Sequence, residues 1–164
     1  MKRASLIAAS ILLCTFAWGQ KTLDDVIALL QSGQTVACSY SYTVRGDVPV
    51  KGSGSAVIRG SAYHISEGGL DTWCDGETVW TVDAEAKEIV VSEGGNSILA
   101  NPGAWRSIVK DLRFDGRSLS CTIDVQGSEL AFKAAGITVS PASEESFAFP
   151  TAGLDKAWII TDLR

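Results

Sequence analysis

The chain has 164 residues, 46% of them hydrophobic and 20% charged, with a formal net charge of −5 and a single histidine. That length suits one domain built around one core. An acidic chain with no basic cluster is a poor match for nucleic acid and for an anionic membrane surface.

Met1-Lys2-Arg3 forms a positive start, residues 4–16 an apolar run, and Ala17-Trp18-Gly19 sets small residues where signal peptidase needs them. Residues 1–19 are therefore expected to be a signal peptide and residues 20–164 a single secreted domain beginning at Gln20. Loss of Lys2 and Arg3 with the leader takes the formal charge from −5 to −7. Cys14 lies in the apolar run, but Leu13 before it is not the small residue that lipid attachment requires. No later apolar stretch is long enough for a spanning helix, so a soluble periplasmic domain is expected.

Thr22 can cap a helix, and Asp24 and Asp25 suit its positive end. Leu23, Val26, Ile27 and Leu30 then fall on one apolar stripe, and Gly33 stops it. Residues 36–44 alternate, with Val36, Cys38, Tyr40, Tyr42 and Val44 on one face. Arg45-Gly46-Asp47 reads as the turn that follows rather than as an adhesion motif. Five short β-rich runs come next, at 53–59, 62–66, 70–74, 78–83 and 88–92, divided by Gly and Asp turns. They predict an antiparallel meander, with Ala56 beside Ile58, Tyr63 beside Ile65, and Trp80 beside Val82. After a loop over 93–96, Asn101-Pro102 predicts a second helix whose stripe is Trp105, Ile108, Val109 and Leu112. Strand character returns at 119–125, at 129–133 and around 137–139. A Ser/Glu loop, Phe147-Ala148-Phe149-Pro150 and a last extended run at 157–161 complete the chain.

Catalysis is not expected. His64 is the only base of the usual kind and sits on the strand face opposite Tyr63 and Ile65. Cys74 and Asp75 are strand neighbours and point apart. There is no nucleophile elbow, phosphate loop or dinucleotide fingerprint, so no catalytic residue and no cofactor is assigned. Cys38, Cys74 and Cys121 are too widely spaced, with one histidine, for a metal site. All three occupy apolar strand positions and are expected to be buried thiols rather than a disulfide framework.

Gly54-Ser55-Ala56-Val57-Ile58-Arg59, then Tyr63-His64-Ile65, then Asp75-Gly76-Glu77-Thr78-Val79-Trp80 form an ordered pattern within residues 51–93. The pattern resembles that of the LolA-like outer-membrane lipoprotein carriers. Arg59-Gly60-Ser61-Ala62-Tyr63 and the terminal Thr161-Asp162-Leu163-Arg164 resemble a compact branch of that family. The resemblance implies an α+β fold: a strongly curved antiparallel β-sheet, an open half-barrel, with helices covering the concave face. It also implies a periplasmic carrier, expected to be a monomer, that binds the acyl chains of lipoproteins and ferries them toward the outer membrane. Its partners would be an inner-membrane lipoprotein-releasing transporter and an outer-membrane acceptor. Classical members place Arg-Pro after the Gly-opened strand, with the Arg handling cargo. Here Arg59 is followed by Gly60-Ser61 and is the matching candidate.

The expected cavity wall comprises Tyr40, Tyr42, Ile58, Tyr63, Ile65, Trp73 and Trp80 from strands. Its expected lid comprises Leu23, Val26, Ile27, Leu30, Trp105, Ile108 and Val109. Two other readings stand beside it: a non-enzymatic periplasmic sensor, scaffold or other lipid-binding protein on the same fold, which shares these features, and a small enzyme whose site the sequence hides.

Overall fold

A computed structural model describes residues 21–95, 101–142 and 146–164. The expected leader and the Gln20 start lie outside the described residues, as do Asn96 of the loop after the meander and part of the Ser/Glu loop. The chain opens with a helix, α1 (Leu23–Gln31), whose start is a capping box. Asp25 N–H donates to the Thr22 hydroxyl while the Asp25 carboxylate accepts from the Thr22 backbone N–H. Strands β1 (Thr35–Val44), β2 (Val50–Arg59), β3 (Ala62–Glu67), β4 (Leu70–Cys74), β5 (Thr78–Asp83) and β6 (Glu88–Glu93) form the expected meander. A 3₁₀ turn at Pro102–Ser107 leads to β7 (Val109–Phe114), β8 (Leu119–Val125), β9 (Ser128–Ser140) and β10 (Ile159–Asp162). All ten strands form one sheet in the order β10-β6-β5-β4-β3-β2-β1-β9-β8-β7.

The expected α+β class does not hold. Of the described residues 54% are in strands and 11% are helical, and the sheet is mixed and does not close on itself. Among the described residues, helical cover of the concave face is limited to α1 and the 3₁₀ turn. The second helix is the largest correction. Asn101-Pro102 starts only that turn, and Val109 and Leu112 belong to β7. The register of β7 against β8 shifts between Lys110 and Arg113, where Asp111 takes a positive φ of 51°. This β-bulge inserts one residue. Val109 and Leu112, three apart, thereby both reach the same cavity, which is the spacing that imitates a helix.

A second bulge explains why β9 reads as two strands. Between Ala37 and Ser39 of β1, Cys38 lies opposite two residues of β9, and one of them is Gly136 with φ 63°. A left-handed residue inside a strand costs a side chain strain, so glycine takes it.

The sheet is mixed because β10 runs parallel to β6. Chain from the end of β9 must cross the length of the sheet before a parallel strand can begin on the far edge. That crossover lays Phe149, Leu154 and Trp158 on the face away from α1, against Val82, Ile89, Val91, Trp73 and Trp80. The described residues therefore form two cores, on opposite faces and toward opposite ends of the sheet. The other joins Val26 and Leu30 of α1 to Val36 and Phe114.

Candidate functional site

The face under α1 holds a cavity of about 390 Å³. Six adjacent strands, β3-β2-β1-β9-β8-β7, contribute side chains to it. Laid flat, six strands would span about 24 Å at about 4.8 Å per spacing, so this part of the sheet must curl around the space. The lining is aliphatic and aromatic; Cys38, Cys121, Tyr40 and Tyr42 belong to it, and the surface they turn to the cavity is apolar.

One end is closed and the other open. Leu23, Val26, Leu29 and Leu30 of α1 line the cavity where β1 begins. Trp105 of the 3₁₀ turn packs against the same core, and Arg106 binds Asp24 at 2.7 Å. Both partners of that pair are mostly exposed, so it orients the turn more than it stabilises it. At the other end Val125 lines the cavity and is 45% exposed. Val50 and Leu70 lie on the same face and at the same end, also exposed. Val125 is the lining residue that reaches solvent there, while Val50 and Leu70 lie outside the lining.

The polar cluster of this site stands beside that mouth. Glu67 ends the row Tyr63, Ile65, Glu67 on the cavity face of β3, opposite Gly54. The Tyr40 hydroxyl donates to one carboxylate oxygen and the Tyr42 hydroxyl to the other, the latter at 2.6 Å. The rings reach across β2 because Gly52 and Gly54 leave room. A Cβ at Gly52 would lie 2.4 Å from the Tyr42 ring, and one at Gly54 would lie 2.9 Å from the Tyr40 hydroxyl. Tyr40 also stacks on Phe132 with centroids 5.9 Å apart. Burial, then Glu67, pushes the Tyr40 phenol well above the ordinary tyrosine range. Tyr42 is raised first by its hydrogen bond to Glu67. Both hydroxyls therefore stay protonated as donors at neutral pH.

Of the expected wall, Tyr40, Tyr42, Ile58 and Ile65 line the cavity, as do Leu23, Val26, Leu30, Trp105, Ile108 and Val109 of the expected lid. Val109 does so from a strand rather than a helix. Ile27 is buried but does not line it. Tyr63 shares the face but is buried beyond the cavity, between Ile58 and Cys74. Trp73 and Trp80 point to the opposite face and the second core. Arg59 is also on that side, its guanidinium 4.7 Å from the Phe147 ring centroid, and is not brought to the cavity. The wall from β8 and β9, including Phe132, Leu130 and Ile123, was not anticipated. Alternation along residues 119–125 was the available signal, but sequence does not say that β9 pairs with β1.

Cys38, Cys74 and Cys121 are free thiols. Burial pushes Cys121 up to about 11 and raises Cys38 and Cys74 as well. They are poor nucleophiles at neutral pH. His64 stacks on Trp73 at 3.8 Å and bonds Asp71 at 2.9 Å, on the face away from the cavity. Among the described residues no helix is long and apolar enough to cross a membrane. No family model matches the chain, and no curated protein sequence matches it significantly.

Proposed function

We propose that the protein binds acyl chains in this cavity and acts as a periplasmic carrier that takes lipoprotein acyl chains toward the outer membrane. The observation that carries the reading is the cavity: about 390 Å³, apolar throughout its depth, closed at one end by α1 and reaching solvent at the other beside exposed Val125. Its size falls within the range of ligand pockets, about 300–1,000 Å³. Each buried methylene contributes about 0.8 kcal/mol, so a partly enclosed chain binds usefully. The secretion pattern of residues 1–19 supports the periplasmic setting. On this reading the partners are an inner-membrane lipoprotein-releasing transporter and an outer-membrane acceptor, and the protein performs no chemistry on its cargo.

Native mass spectrometry of the purified protein, with displacement of an environment-sensitive apolar probe by a synthetic lipopeptide, tests the reading. Bound acyl mass and competitive displacement are expected, and Trp105→Glu should weaken uptake more than folding. Failure of the folded wild type to take up either probe or lipopeptide would overturn the reading.

A further inference from the structure

The mouth cluster has a one-sided hydrogen-bonding character. An ionised carboxylate has about four lone-pair sites and no proton to give. Two of those sites on Glu67 are filled by the Tyr40 and Tyr42 hydroxyls, whose only protons are thereby committed. What remains is acceptor capacity alone: the spare lone pairs of Glu67 and those of the two phenol oxygens. Among the described residues the cations of this end are directed elsewhere. Arg45 pairs with Glu129, Lys110 pairs with Asp124, and Lys51 lies on the other face of β2 from Gly52. Two glycines in β2 keep the arrangement possible, since a side chain at either would displace a tyrosine.

We propose that Glu67, Tyr40 and Tyr42 form a head-group subsite that selects amphiphiles whose polar end donates hydrogen bonds, an ammonium above all, and rejects carboxylate heads. The subsite rests on the acyl-chain reading above and adds the chemistry of the head to it. A chain seated in the cavity places its polar end at the mouth, because the closed end beneath α1 offers it no partner. There an ammonium meets four acceptor oxygens, two of Glu67 and one of each tyrosine, and a negative charge. A carboxylate meets like charge, and the two phenol protons beside it are already committed to Glu67.

The test holds the chain constant and changes only the head. Dodecylammonium and dodecanoate compete at neutral pH for an environment-sensitive apolar probe on the wild-type protein, on Glu67→Gln and on Asp47→Asn. Asp47→Asn removes one exposed acidic charge from the loop at the same end. The wild type is expected to prefer dodecylammonium by about tenfold or more, the effect of a charged hydrogen bond in a partly buried site. Glu67→Gln should lose most of that preference and Asp47→Asn should retain it. Tyr40 and Tyr42 ring signals in the wild type, followed by NMR, read the same contact without a substitution and should differ between the two ligands. Equal affinity for both heads, identical ring shifts, or a preference that survives Glu67→Gln would overturn the subsite while leaving the acyl-chain reading standing. Absence of binding by either amphiphile and by the probe would remove both.

Discussion

Single residues do two kinds of work here. Gly54 allows close approach: a Cβ there would lie 2.2 Å from the Ser66 carbonyl oxygen, a backbone atom that cannot swing aside. Gly54→Ala is therefore expected to cost about 1–3 kcal/mol, the range for overpacking, read as a lower urea midpoint with an unchanged m-value. Asp115 instead orders the hairpin between β7 and β8. Its carboxylate accepts from the backbone N–H groups of Arg117 and Ser118 and from the Ser118 hydroxyl, which lowers its pKa from 3.8 to about 2. A depressed folded value means that the stabilisation is complete above the ordinary value and is lost as pH falls through about 2. The carboxyl carbon of Asp115 should titrate by NMR with a midpoint near 2, and Asp115→Asn should flatten the acid limb of the stability curve. A midpoint at the ordinary 3.8 would contradict the turn geometry.

At the scale of elements, local chemistry and pairing carry different shares. The capping box around Thr22 and the alternation of β1 through β6 are local, and those elements stand close to where their residues place them. The segments misread are those with bulges. A bulge changes which residues share a face, and its presence depends on the partner strand. Asp111 turns Val109 and Leu112 to a common side, and Gly136 does the same for Ala134 and Ile137. Gly136→Val should cost about 1–2 kcal/mol through its left-handed backbone, in equilibrium unfolding. Loss of the bulge would also move Ile137 off the cavity wall, so probe affinity should fall with stability. A variant as stable as wild type would show that the bulge relaxes freely.

Across the whole molecule, two cores lie on opposite faces of one sheet, and on the proposed function they should separate stability from binding. Ile89 is 1% exposed in the core beneath the crossover, away from the cavity. Ile89→Ala should destabilise the fold by about 2–5 kcal/mol while leaving the probe affinity of the folded fraction unchanged. Leu130 is half-buried and lines the mouth end of the cavity. Leu130→Trp should block uptake with a thermal midpoint close to that of wild type. A common fall of affinity and stability in both variants would show that the cores are coupled through the sheet.

Most of the strands, α1 and the shared face of Val36, Cys38, Tyr40 and Tyr42 were legible in the sequence, because period-two and helical spacing are properties of neighbouring residues. The same periodicity placed Trp73 and Trp80 opposite Cys74 and Val79 on their strands, but it carried no information on which face would be hollow. Pairing between β1 and β9 brings residues 119–139 to the cavity, and the parallel β10 draws the crossover beneath the other face. Those are contacts between residues far apart in the chain, whose closure depends on the shape of the whole sheet. The tertiary structure alone decided which aromatic side chains face an empty space and which are packed, and it alone set Glu67 against the two tyrosines at the mouth.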